Sequence, residues 1–502
     1  MNYISNIFRS PTTDQDDPGS IDTIEKGAAT QRKARPPTLR DIPKLTKAML
    51  QTESDKSEEA TAAAKKLYEL CDVGHKANRE PMVATGQYDV VNPLAQCLLH
   101  KNNNEKLHFV CLTLNNLSIP HDNKRVMVME RGAKKLIGNL CTLVASEKKE
   151  CYLGCIILMN LSFFEPAETI IGQWSPKNTL RGPRLTPLEN PDSLLRILQD
   201  LTAHAARGTA DFRWATGLLA TLSRNLENAL LIGITGIPRT AIENIASSTI
   251  DPSEWKTNSL EDFSLYFLLH LAEASKDGLQ GALEVVEPIM RNDSGIQGLK
   301  ATMICAFLGL PWEQFPNYGV NAAGAVSELM GNTFERMGKK RVYNDNDFQL
   351  RTAVSAYAAL AAAAYKADSA NDSDAVVHTK VIALPTSVAI LFHILSTLST
   401  WGEDDCDDDT VHWDIKAGDL AVGAIMSLLP ALLEAEDPPR HSMATQQACF
   451  ELSKVFVFFS KKTSSIAVKA RAAEVAEKLT ENASGSALPL LEASYDLWRQ
   501  AS

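Results

Sequence analysis

The chain has 502 residues, a hydrophobic share of 45% and a formal net charge of −11. That is enough apolar chain for several globular domains, or for one solenoid of about ten helical hairpins at ~42 residues each. The negative balance speaks against a general ligand for nucleic acid or anionic membrane, since both are polyanions.

Residues 1–50 read as a disordered tail, polar and rich in Pro, Asp, Thr and Arg. Met1 to Arg9 lacks the basic start and long apolar stretch of a signal peptide. A cytoplasmic location is therefore expected, with the nucleus as the alternative. The basic cluster Gln31 to Arg35 reads as solvated charge before it reads as a nuclear address.

The helical array is expected over 55–502, clearest over 60–275 and degenerate over 276–502. Ala60 to Cys71 is a good helix former with Leu67 and Leu70 on one face. A phrase then recurs. Leu114-Asn115-Asn116-Leu117-Ser118 is answered by Leu158-Met159-Asn160-Leu161-Ser162, then Leu219-Ala220-Thr221-Leu222-Ser223, then Leu268-Leu269-His270-Leu271-Ala272. The central leucines lie 44, 61 and 49 residues apart. A period in the forties marks helical repeats, each burying its apolar face against its neighbours. Leu117, Leu161, Leu222 and Leu271 are thus expected at equivalent core positions, with Leu70 as their earlier counterpart. Gly86, Gly132 and Gly236 follow the phrase at similar distances, where a left-handed glycine suits the turn into a new helix. Asn78 and Asn123 fall in the matching turns.

The long interval after Leu161 is filled by a stretch over 172–192 carrying Pro176, Pro183, Pro187 and Pro191 with Lys177, Arg181 and Arg184. It cannot be one helix and reads as an insertion loop. Trp174 opens it and is a candidate partner contact, whereas Trp214, on an apolar helix, reads as core. Beyond Ala274, helices are expected over Val320 to Phe334, Phe348 to Tyr365, Leu384 to Leu398, Asp419 to Leu433, Thr445 to Phe459 and Ile466 to Leu479. Val381 to Trp401 reads as buried helix rather than a membrane span. No strand alternation appears, so the fold class is all-α.

From Asn116 to Leu143 the chain runs helix end, polar turn with Asn-Lys, short apolar helix, Gly-Ala and new apolar helix. In this it resembles armadillo repeats, well over Ala60 to Ser162 and fairly to Ala274. The resemblance implies an armadillo-like α-solenoid, a right-handed superhelix of helical hairpins. In that family an Asn at the place of Asn116 and Asn160 lines the concave groove and clamps an extended peptide. The alternative role for both is an amide tying backbone between repeats. Thr221 and His270 hold the place in the next two phrases. The family's Trp one turn earlier is replaced by Leu112 and Ile156.

Nucleotide-binding, zincin and serine-hydrolase motifs are missing from the sequence. The nine cysteines form no Cys-x-x-Cys pair; most sit in apolar runs and they read as reduced thiols. Cys151 and Cys155 lie one helical turn apart but lack further ligands at metal spacing. The run Glu403 to Asp409 lacks the ordered spacing of a calcium loop and reads as a solvated acidic loop. The reading is therefore a non-catalytic scaffold or adaptor, without cofactor or metal. It binds an extended or helical segment of a protein partner through Asn116, Asn160 and Trp174. The alternatives are a transport or nucleotide-exchange adaptor of similar architecture, and an enzyme with a site in the C-terminal half.

Overall fold

The structure is a computed structural model. It describes residues 37–311, apart from several short stretches and most of 176–192, together with parts of 314–391 and 420–431. The chain divides into two compact units, Arg9–Val285 and Val286–Ser502 with Met1–Phe8.

The first unit is a stack of three-helix repeats. In chain order its helices are α1 (Ile42–Met49), α2 (Ser57–Glu69), α3 (Arg79–Val83), α4 (Val91–Cys97), α5 (Asn104–Leu117), α6 (His121–Met129), α7 (Ala133–Val144), α8 (Cys151–Ser162), α9 (Glu165–Gly172), α10 (Leu194–His204), α11 (Ala210–Leu222), α12 (Leu226–Gly233), α13 (Ile237–Ala246) and α14 (Leu260–Ala274). The third helices of the repeats, α2, α5, α8, α11 and α14, each pack on the next. The second helices stack as α1–α4–α7 and α10–α13, and the first helices pair as α3–α6 and α9–α12. Among the described residues there is no strand. The order short, intermediate, long, repeated and stacked in sequence, is an armadillo-like α-solenoid.

The phrase explains itself in this stack. Leu117, Leu161 and Leu222 are fully buried, and Leu70 and Leu271 are 2% exposed. The serine after the leucine turns back onto its own helix. Ser118, Ser162 and Ser223 each donate to the carbonyl three residues earlier, at 2.7, 2.9 and 2.8 Å. Carbonyls at a helix end lack intrahelical partners, so a buried small hydroxyl is useful there. Starts are equally local: the side chains of Asn103, Thr209, Asn225 and Ser259 cap α5, α11, α12 and α14.

Two expectations need correction. The tail does not run to residue 50: α1 covers Ile42–Met49 and packs on α2 and α4, with Ile42 and Met49 buried and Leu45 at the edge of burial. Those three residues lie at i, i+3 and i+7, an apolar face that the surrounding polar sequence obscured. Gly236 is not left-handed, since its φ is −79° as the N-cap of α13. Gly86 and Gly132 lie outside the described residues, as does most of the insertion.

The corner where α1, α4 and α5 meet buries a cation. Lys106 Nζ reaches the carbonyls of Met49 and Gln51, both at 3.4 Å, and lies 3.1 Å from His100 Nδ1. Burial, then Lys106 and Lys148, pull the His100 imidazole below its ordinary 6.5. The fold thus favours neutral His100, and the unfolded chain takes the proton more readily. That stabilisation is complete above 6.5 and is lost as pH falls through the depressed value. Thermal melting from about pH 8 to 5 should show the midpoint dropping on the acid side, and dropping less in His100→Gln. Equal slopes in the two proteins would show that His100 does not report this burial.

In the second unit, α15 (Ala282–Asn292) ends and α16 (Ile296–Leu308) follows, and Asp345–Ala370 packs on both α16 and Val377–Ile382. The Asp368 carboxylate accepts from the His378 and Thr379 N–H groups, each at 2.9 Å, and so caps Val377–Ile382. The helix expected over Phe348 to Tyr365 is present within Asp345–Ala370. Within the helices expected over Val320 to Phe334, Leu384 to Leu398 and Asp419 to Leu433, the described residues of 323–332, 386–391 and 420–431 are helical, whereas Thr445 to Phe459, Ile466 to Leu479 and the acidic run lie outside the described residues. No helix among the described residues is long and apolar enough to cross a membrane.

Candidate partner-binding face

Asn116 and Asn160 occupy the same register, one residue before the phrase leucine on α5 and α8. Neither amide stands in an open groove. Asn160 is 1% exposed, and its Nδ2 donates to Asn115 Oδ1 at 3.0 Å and to Ser118 Oγ at 3.2 Å. Both acceptors belong to the end of the preceding third helix. Asn116 is 7% exposed, and its Oδ1 accepts from Arg79 Nη2 at 3.3 Å. Arg79 in turn donates to the carbonyls of Cys71 and Asp72, so the guanidinium closes the C-terminal end of α2. Burial pulls the Arg79 guanidinium below its ordinary value and pushes the neighbouring Cys71 thiol up to about 12. Both asparagines therefore sit between repeats. Thr221 and His270, at the same place on α11 and α14, are buried as well.

The same chemistry recurs in the first-helix layer. Asn123 Nδ2 donates to Leu117 O and Arg79 O, both at 2.9 Å. Asn228 Nδ2 donates to Glu168 O at 3.0 Å and Leu222 O at 3.2 Å. Each amide, on a first helix, ties together the end of the preceding third helix and the first helix of that same preceding repeat. Asn228 was missed as a functional position, although it stands six residues past Leu222 as Asn123 stands six past Leu117. Its approach is close enough that a Cβ on Gly172 would lie 2.3 Å from Asn228 Nδ2. Beside this joint Glu168 pairs with Arg224 at 3.2 Å, and Lys124 and Arg224 lie over the Phe163 ring at 5.4 and 5.1 Å.

What remains open on the third-helix layer is its N-terminal end. Phe109, Leu112 and Asn116 share one face of α5, and the first two are half-buried. Lys65 and Glu105 are exposed, and Tyr68, Glu69 and His108 are half-buried around them. Tyr68 and His108 lie 6.1 and 6.0 Å from the Phe109 ring, and Lys65 Nζ lies 6.0 Å from its centroid. One repeat later the equivalent of Leu112 is Ile156, which is buried, and α8 presents only Tyr152 at half-burial.

Trp174 is half-buried, with its indole near Gly138 of α7. Its carbonyl accepts from Leu194 N at 3.1 Å, which brings the two ends of the insertion together. Trp214 is core, 5.5 Å from the Phe263 ring. Phe263 lies against Gly217, where a Cβ would meet its ring at 2.8 Å. Among the described residues seven cysteines are buried and form no disulfide, Cys151 and Cys155 among them. Among the described residues no group of three His, Cys, Asp or Glu side chains is placed to hold a metal.

No family model matches the chain, and no curated relative matches it. Similar solved structures exist at low identity. One comes from work on a phosphorylation switch in the interaction between cadherin and beta-catenin: 12% identity, TM-score 0.43, covering 91% of this chain and 94% of that one. A second is importin beta, at 12% and 0.38, covering 92% of this chain and 60% of that one. A third is the SYS-1/POP-1 complex, at 10% and 0.40, with coverages of 91% and 78%. The repeat geometry, rather than these likenesses, carries the fold.

Proposed function

We propose that the chain is a non-catalytic protein-binding scaffold whose partner, an extended or helical segment, lies along the face of α2 and α5. The observation that supports this is the change in exposure along the third helices. Phe109, Leu112 and Tyr68 form an aromatic and aliphatic centre with Lys65 and Glu105 at its edge. That is the composition of a binding hot spot with a charged rim. From α8 onward the equivalent positions are mostly covered, so the contact is confined to the N-terminal repeats. Under this reading Asn116 and Asn160 hold the floor of the face in place, and Trp174 is a second contact at the base of the basic insertion.

Affinity capture with the full chain should recover a protein that Phe109→Ala/Leu112→Ala fails to retain, with at least ~10-fold weaker binding, or ~1.4 kcal/mol. The melting transition should stay within a few degrees, because both side chains are only half-buried. Recovery of the same proteins by both chains overturns the assignment of this face. Turnover by the chain on its own would overturn the scaffold reading itself.

A further inference from the structure

Among the described residues the first-helix layer ends at α12. Leu117, Leu161 and Leu222 are each followed, four residues on, by a first helix of eight or nine residues. After Leu271 the described residues make a turn over 275–281, and the next helix begins at Ala282. Gly278, at φ +73°, carries that turn against the end of α12, where a Cβ would lie 2.2 Å from Gly233 O. A side chain there would be both strained and blocked.

The contact between α9 and α12 shows which face a first helix offers to the next. Thr169 Oγ1 accepts from Asn225 Nδ2 at 3.1 Å, and Gln173 Nε2 donates to Glu227 Oε2 at 2.7 Å. Thr169 and Gln173 stand eight and twelve residues past Leu161. The residues at those places past Leu222 are Leu230 and Ile234. Leu226 extends them to a stripe at i, i+4 and i+8 along α12. The three are 46%, 45% and 70% exposed. The surface that is polar on α9 and holds α12 is thus apolar on α12 and open to water.

We propose that this stripe docks a short amphipathic helix of a partner protein, two to three turns long, which extends the first-helix layer by one element. Its contact residues are aliphatic or aromatic at i and i+3 or i+4, without charge at the centre. The site continues the contact that the chain already makes between α9 and α12. A second copy of this chain is the weaker occupant. Three partly exposed aliphatic side chains bury far less than the ~800 Å² per partner of a stable dimer. The site is separate from the α2–α5 face and does not depend on it.

The test uses the full chain and a displayed library of random twelve-residue peptides. The best selected peptide is synthesised with a fluorophore and titrated by anisotropy. The binding proteins are the unaltered chain, Leu226→Glu/Leu230→Glu/Ile234→Glu, and Leu230→Thr/Ile234→Gln. The last variant copies the residues that α9 carries. The expected result is a peptide with apolar residues at helical spacing that binds both variants at least tenfold more weakly, with unchanged melting. If the glutamate variant fails to fold, the Thr/Gln variant decides. Equal binding to the variants, or no selected peptide, overturns the proposal. Sedimentation showing self-association that the variants lose also overturns it, in favour of a second copy.

Discussion

Glu168→Ala should lower the unfolding free energy of the repeat stack by about 3–5 kcal/mol, and Arg224→Ala by a similar amount. The two side chains are 4% and 5% exposed and meet at 3.2 Å. Glu168 belongs to α9, and Arg224 lies in the turn from α11 into α12. The pair therefore spans two repeats at the joint that Asn228 also ties. Removing one partner leaves the other charge inside the protein without this ion pair, and that lost counter-charge sets the cost. Arg224 loses its place over the Phe163 ring as well, an attraction that grows when the cation is desolvated. The double variant Glu168→Ala/Arg224→Ala should lose less than the sum of the singles, because it leaves neither charge behind. Urea titration followed by circular dichroism measures all three. The loss should change little between low and moderate salt, since buried pairs are weakly screened. Additive singles, each under ~1 kcal/mol, would mean the pair behaves as a solvated one.

The repeat was legible because burial imposes the same demand at each turn of the stack. A leucine enclosed on all sides, followed by a small hydroxyl closing the helix end, leaves few alternatives, and Leu117, Leu161 and Leu222 repeat it with Ser118, Ser162 and Ser223. The asparagines were legible in position but not in role. An amide at the end of a third helix serves a peptide in a groove or the carbonyls of the neighbouring repeat equally well. Only the distances from Asn160 to Asn115 and Ser118 show which groups it meets. The Glu168–Arg224 pair was not legible, because its members are 56 residues apart and carry no pattern. Helix α1 was hidden by its neighbours: Lys44, Thr46 and Lys47 alternate with Ile42, Leu45 and Met49 and dilute a short apolar face. The stripe on α12 becomes visible only once α9 shows which positions face the next first helix.

Leu161→Ala should cost about 2–5 kcal/mol, the range for a buried leucine whose removal leaves a cavity. Leu161 is fully buried, and α8 packs on α5 and α11 at once. Residues 153–162 of α8 are all buried, so neither neighbour can close on the space without shifting a packed surface. The cost should therefore fall in the upper part of the range. Leu161→Met conserves volume and should cost less than ~1.5 kcal/mol. Each repeat is supported by its neighbours alone, so the effect should appear as earlier loss of helix in the whole stack rather than as local fraying. Guanidinium titration by circular dichroism, with hydrogen exchange read at α5 and α11, separates these two outcomes. A loss of only ~0.5 kcal/mol, as for surface changes, would show that the neighbours relax into the gap and that the phrase leucine is not the keystone its burial indicates.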